Sequence, residues 1–477
     1  MMKRNEKKND KIKILLILLF VYAGLSWIFM GSTYQSGELV KIGWYRAGLF
    51  DLVAVIFSGL TYKVEDILYI LAVGGMYGIL TQAESYKRIV SKLSNVVENN
   101  GVVSFVVITF VVGLYTALSS NIITLFILVP LIMTVFLKAG YDKLTATGAS
   151  FGGLFLGYLG QIVGTYGNEF IYQYFQINAN LDVVVKIVLF LVAFVLFNVF
   201  GVLHLRNNQN VELGEDSDIY AVSEPKQITK KSEQIMTWPT IVVAIISLLV
   251  IMIGYIPWSS AFGVTLFDKL HSAVMNFSIG NIKLVETLIG STMTAIGAWS
   301  DFLPAIFMMI IFVVVVCFTN NISFREVCNN LSEGMKKIAG VAFMYGLAFS
   351  FLYMATAYPW PTTLVDFFIK TDGYNLFFII LGLIAAFIAV VFCADPLFSG
   401  YYYGQYLSSI FTVNLGITAI LWRVGSGLAL LVGPTSFLLM AALTYADIPY
   451  TKWLKYIWKF ALTFFVATIL VLGIVIM

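Results

Sequence analysis

Residues 417–439 read ITAILWRVGSGLALLVGPTSFLL. The stretch is apolar enough for a bilayer. Yet it carries Arg423, a serine between two glycines (Gly425, Ser426, Gly427), and then Gly433, Pro434, Thr435 and Ser436 in succession. Glycine and proline together free backbone groups that an unbroken helix would satisfy. Such groups are tolerated at membrane depth only where they line a cavity or pack inside protein. The stretch therefore predicts a discontinuous membrane helix, an arrangement that holds substrate and ions in secondary transporters.

The chain around it sets the class. It has 477 residues, 60% hydrophobic and 12% charged, with a mean hydropathy of +0.89. Apolar runs recur along its length, so composition predicts an all-α polytopic membrane protein of the plasma membrane with about nine full spans. A net charge of +3 gives little hold on nucleic acid. Cys317, Cys328 and Cys393 are too few for a disulfide framework. Lys3, Arg4, Lys7, Lys8, Lys11 and Lys13 precede an apolar run that lacks a small-residue cleavage site. They predict a retained first span with a cytoplasmic N-terminus.

Spans are expected at 14–30, 65–81, 145–170, 183–205, 237–257, 302–319, 338–357, 417–439 and 456–477, the last leaving the C-terminus outside. Residues 44–60 read as an interfacial helix, and 258–300 as an outer region partly of interfacial helices. Residues 83–100, 206–234 and the stretch around Arg325, Lys336 and Lys337 read as cytoplasmic. Two regions are too short per arm to cross. Residues 102–137 hold two apolar arms of about 16 residues, roughly 24 Å each against a core of roughly 30 Å. They predict a re-entrant hairpin from inside, with Ser119, Ser120, Asn121 and Thr124 at its tip. Residues 375–413 predict a second hairpin, from outside, with Asp395, Ser399 and Gly400 at its tip. The glycine-rich span at 145–170 should break near Gly160 and Gln161.

The order of elements repeats with opposite orientation: residues 1–206 form one inverted repeat, 207–257 a linker and connecting span, and 258–477 the other. Inverted repeats place hairpin tips and helix breaks together at mid-membrane. Hydroxyls and carbonyls at the tips, and at Gly433–Ser436, could coordinate substrate or a cation such as Na⁺, with helix N-termini facing an anion. Arg423 either anchors a substrate carboxylate or snorkels to the outer surface. Asp395 and Glu169 are candidates for proton or cation coupling, against exposure at the interface for Glu169. Tyr401, Tyr402 and Tyr403 either close over a ligand or belong to an aromatic belt.

Residues 322–341 (ISFREVCNNLSEGMKKIAGV), 415–455 and 74–80 resemble the YfcC-type members of the anaerobic C4-dicarboxylate carrier (DcuC-like) family, within the ion transporter superfamily. Pro-Thr-Ser before Leu-Met-Ala, and Ile-Pro-Tyr-x-Lys-Trp-Leu-Lys, match most closely. The resemblance implies an elevator-type homodimer driven by Na⁺ or H⁺. The chain departs from the family at Ser426, at Ser119-Ser120-Asn121 and at Gly160-Gln161-Ile162, where acidic residues or an Asn-Pro-Phe-like break are usual. Loss of those acids tilts the expected site away from cations. The expected function is therefore ion-coupled transport of a small carboxylate-bearing solute such as a dicarboxylate or amino acid. Basic amino-acid antiport on the same fold is the alternative. A membrane-embedded enzyme is remote: two histidines, and no His-Glu-x-x-His, phosphate-cradling loop or Cys-x-x-Cys, leave no catalytic constellation or cofactor motif.

Overall fold

The computed structural model describes residues 10–35, 38–119, 121–164, 169–178, 182–208, 218–224, 237–369, 375–410 and 415–476. Ser120 and most of the 206–234 linker, including Lys226, Lys230 and Lys231, lie outside the described residues.

The first half runs α1 (Asp10–Ser26), a hairpin of β1 (Gly31–Gln35) and β2 (Glu38–Gly43), α2 (Leu49–Tyr62), α3 (Val64–Leu80), α4 (Glu84–Asn99), α5 (Gly101–Leu118), a 3₁₀ turn (Thr124–Leu128), α6 (Val129–Lys138), α7 (Lys143–Gly160), α8 (Glu169–Phe175) and α9 (Val183–Asn207). Then come α10 (Thr237–Gly254), α11 (Trp258–Phe262), α12 (Leu266–Met275), a second hairpin of β3 (Ser278–Ile279) and β4 (Ile282–Lys283), and α13 (Leu284–Ile289). The remainder is α14 (Leu303–Asn320), α15 (Phe324–Ala348), α16 (Ser350–Ala357), α17 (Pro361–Ile369), α18 (Leu376–Cys393), α19 (Pro396–Ile410), α20 (Leu415–Val432), α21 (Phe437–Ala446) and α22 (Tyr450–Ile476).

Among the described residues, 8 helical stretches are long and apolar enough to cross a membrane, or 9 if α3 and α4, bent by 97°, are counted as one. The chain is an all-α, multi-pass membrane protein, because a segment in hydrocarbon must satisfy its own backbone.

Several sequence expectations change. The stretch read as an interfacial helix is α2, which buries Leu52, Val55 and Gly59. A Cβ on Gly59 would lie 2.6 Å from the Ser350 backbone nitrogen, so α2 lies directly against the start of α16. Its open face carries Leu49, Phe50, Val53 and Phe57, an apolar surface suited to contact with lipid. The stretch at 83–100 forms helix α4. The expected cytoplasmic loop around Arg325–Lys337 is the first half of α15. Ser323 and Glu326 form a capping box there: Ser323 N donates to Glu326 Oε2 at 2.8 Å. The span expected at 338–357 is accordingly the second half of a longer run, bent at Phe349.

The opening stretch lies at the centre. Nearly every residue of α20 and of α7 is buried. Helices α5, α7, α18 and α20 each have 18 residues, so the two halves repeat the same lengths in the same order. Gly153 and Gly425 stand at the same position in α7 and α20. A Cβ on Gly153 would meet Val112 at 2.6 Å in α5, and one on Gly425 would meet Leu383 O at 2.6 Å in α18. Both crossings are close because glycine stands at them. The ends of the first hairpin return to one place: the Tyr141 hydroxyl lies against Gly101, and Phe105 and Phe136 pair at 6.5 Å.

Candidate functional site

The first helix break is closed by main-chain N–H groups and the second mainly by side-chain hydroxyls. At the first break, Val163 N and Gly164 N donate to Ala117 O at the end of α5, at 3.1 and 3.3 Å. At the second, the Thr435 hydroxyl donates to Val391 O near the end of α18 at 2.6 Å. Ser436 Oγ donates to Leu430 O at 2.6 Å and accepts from Leu439 N at 3.1 Å, capping α21. Gly433 N donates to Ala429 O at 2.7 Å, and Pro434, with no N–H to give, is half-buried beside it. Ser426 Oγ donates to Trp422 O at 2.7 Å. Ser399 Oγ accepts from Trp422 Nε1 at 3.2 Å. Ser399 and Gly400 are inside α19 rather than at the tip.

The hairpin tips use side-chain caps. Asn121 Oδ1 accepts from Ile123 N and Thr124 N, both at 3.1 Å. Ser119 Oγ reaches Asn121 O at 3.4 Å. Thr124 O accepts from the Tyr69 hydroxyl at 2.6 Å. In the second hairpin Asp395 Oδ1 accepts from Leu397 N at 3.0 Å, after Ala394 turns the chain at φ +58°.

Arg423 is 0% exposed, which overturns the snorkelling reading. It points inward: Nη1 donates to Gln161 O at 2.9 Å, joining α20 to the break after α7. Gly160 beside it packs on Phe190. Arg423 thus completes the C-terminal end of a broken helix, where a cation is favoured. Of the tyrosine run, Tyr401 is exposed, Tyr402 stacks on Phe398 at 5.6 Å, and Tyr403 packs on Trp422 at 5.2 Å.

A cavity of about 350 Å³ lies in front of this framework. Lys63, Glu65 and Asp66 line it from the α2–α3 junction, Asn121 from the first tip, Glu169 from the start of α8, and Phe437 from the start of α21. Tyr255, Trp299, Ser300 and Phe302 close it from the α10 and α14 ends. Lys63 Nζ is 3.9 Å from Asp66 Oδ2, which accepts from the Tyr345 hydroxyl at 2.5 Å. Of the expected site residues, Asn121 lines this cavity, as does Glu169, which is partly buried there rather than exposed at an interface. Arg423, Ser426, Thr435 and Ser436 do not line it.

Sequence reading did not single out Lys63, Glu65 and Asp66, because Lys63 fell between two expected elements and Glu65 and Asp66 at the very start of the span expected at 65–81. Joining α2 and α3 into one run with a mid-depth break would have placed Lys-x-Glu-Asp inside the membrane, where ionisable residues are functional by default.

No protein-family model matches the chain, and no curated protein matches it. Its structure is similar to that of the Alcanivorax borkumensis YdaH transporter, with a TM-score of 0.41 and 14% identity over 98% of each chain. It is also similar to Neisseria gonorrhoeae MtrF, described with a class of antimetabolite efflux pumps, with a TM-score of 0.37 and 13% identity over 98% of this chain and 94% of that one. Both likenesses are too distant to bear on what this chain does.

Proposed function

We propose that the chain is a secondary active transporter of a small solute carrying an amine together with a carboxylate, a basic amino acid being the simplest case. The cavity supports this reading. Its volume, about 350 Å³, suits a ligand of that size. Three carboxylates and one ammonium line it, Glu65, Asp66 and Glu169 with Lys63. Such a lining favours a cationic group with one anionic partner and disfavours a dicarboxylate. A solute carboxylate would take Lys63 and the Asn121 amide, and its ammonium the acids.

In this reading the two hairpins and two broken helices move as one body against α2, α3 and α15, as in an elevator. Arg423 bonding Gln161 O, and Gly427 lying against Leu159, support a rigid union of α7 with α20. In the same reading the two halves are inverted repeats, and the basic residues Lys87, Arg88, Lys92, Lys138 and Lys143 support a cytoplasmic N-terminus and an outer C-terminus. The resemblance to C4-dicarboxylate carriers adds the expectation of a homodimer.

Thermal unfolding of the purified protein against L-arginine, L-lysine, L-alanine and succinate tests the solute class. L-Arginine or L-lysine should raise the unfolding temperature, and Asp66→Asn and Glu169→Gln should diminish the rise. A rise with succinate and none with the basic amino acids would contradict the proposal.

A further inference from the structure

We propose that Asp395, at the tip of the second helical hairpin, is a proton-binding site through which the carrier is driven by protons; this rests on the transporter reading above. Asp395 is 0% exposed. Oδ1 caps α19 by accepting from Leu397 N. Oδ2 is buried with no partner at full hydrogen-bond geometry among the described residues, and the Tyr62 hydroxyl is the side-chain donor nearest to serving the carboxyl. An ionised carboxylate so placed is disfavoured, because its buried oxygen is not fully hydrogen-bonded and it has only a shared cation to offset its charge. A proton on Oδ2 removes that charge.

Folding does not require the acid. Asn121 performs the same capping at the first tip, and Asn375 does so at the start of α18 by accepting from Phe378 N at 3.0 Å. An amide suffices wherever only a cap is needed, so the second carboxylate oxygen at residue 395 is surplus to the turn.

The surrounding groups make the proton consequential. Tyr62, Lys63 and Asp66 face Asp395 from the α2–α3 junction, and Tyr158 from α7. Cys393 on the same turn donates its thiol to Asp395 O at 3.2 Å. Lys63 is the cation in this set, and it also sits 3.9 Å from Asp66. Two aspartates therefore share one ammonium, which neutralises one while a proton neutralises the other. When Asp395 releases its proton, Lys63 is drawn from the cavity wall toward the hairpin tip. That shift links the state of the tip to the solute cavity. The proton is taken from water on one side and released to water on the other, with no co-reactant.

A sodium ion fits the tip less well. It would need several oxygens at once. Ser399 Oγ already spends a lone pair in accepting from Trp422 Nε1. Among the described residues, no group of three or more acidic, histidine or cysteine side chains is arranged to hold a metal ion.

Infrared difference spectra of the full chain in nanodiscs at neutral pH read the proton without any solute. The wild type should show a protonated-carboxyl C=O band that Asp395→Asn lacks and Asp395→Glu shifts, unchanged when KCl is replaced by NaCl. Absence of an Asp395-dependent band, or its loss in NaCl alone, would overturn the proposal. In proteoliposomes, Asp395→Asn should keep L-arginine exchange while uptake driven by a pH gradient falls about tenfold or more. Equal loss of both would make Asp395 structural and overturn it as well. If the wild type moves no L-arginine, the solute class fails and the infrared band still decides the proton site.

Discussion

The two hairpin tips do the same local work with different chemistry. At the first, Asn121 gathers two backbone N–H groups with one amide oxygen. At the second, Asp395 gathers one and leaves an oxygen over, buried beside Lys63. Among the described residues the neutral tip leaves over only the hydroxyl of Thr124, whereas the acidic tip leaves over a carboxylate oxygen that calls for a proton or a cation. A polar residue at a break can thus be fully spent on the break, and what distinguishes a site is the group left unspent. At the second break, Gly433–Ser436, the Thr435 and Ser436 hydroxyls are engaged in bonds that close the break, although its sequence is the more conspicuous.

Substitutions can break or sharpen the comparison. The largest stability effects should come from the crossings that hold each hairpin to its broken helix. Gly425→Ala and Gly153→Ala should each destabilise by roughly 1–3 kcal/mol through overpacking. Gly425→Ala should cost more, because its Cβ meets the Leu383 carbonyl rather than a side chain. Thermal midpoints in detergent check the order. Next, Asn121→Ala and Asp395→Ala should each lose about 1 kcal/mol with the cap, while Asp395→Asn should lose none or gain. A large loss for Asp395→Asn would show that the carboxylate itself holds the tip. Thr435→Val should then cost about 1 kcal/mol by orphaning Val391 O, with no counterpart at the first break, where main-chain N–H groups do the same work.

The smallest effect concerns the entrance to α7. Asp142 caps that helix by accepting from Thr145 N at 3.0 Å, and it meets His204 Nε2 at 3.1 Å. Burial pushes the Asp142 carboxyl up, but hydrogen bonds from His204 and Thr145 outweigh it and hold the group below the ordinary aspartate range. Its contribution is therefore present above that range and lost as pH falls through the depressed value. Asp142→Asn should cost a few tenths of a kcal/mol at neutral pH and flatten the acid limb of a stability-against-pH curve. An unchanged limb would contradict the assignment.

How much was legible in the sequence follows from which signals are local. Apolar length exposes a membrane helix, and Gly-Pro or a glycine cluster exposes a break, so α20–α21 and the end of α7 were readable. The Ser323–Glu326 box was equally local, but the basic residues after it suggested a loop. Arg423 was visible as an intramembrane charge, yet its partner, Gln161 O, is a backbone atom 262 positions away that no side-chain pattern announces. The cavity was the least legible. Lys63, Glu65 and Asp66 sit at a junction without glycine or proline, at the edge of an expected span, and nothing local marks them as a site until α15 and the first hairpin tip are packed around them.

The central claim is that Lys63, Glu65, Asp66 and Glu169 bind a transported solute with a cationic amine. Uptake of radiolabelled L-arginine into proteoliposomes under an imposed pH gradient tests it most directly. The wild type should accumulate L-arginine in a saturable manner, competed by L-lysine and not by succinate, and Asp66→Asn should raise KM. Accumulation of succinate instead, or L-arginine uptake indifferent to Asp66→Asn, would contradict it.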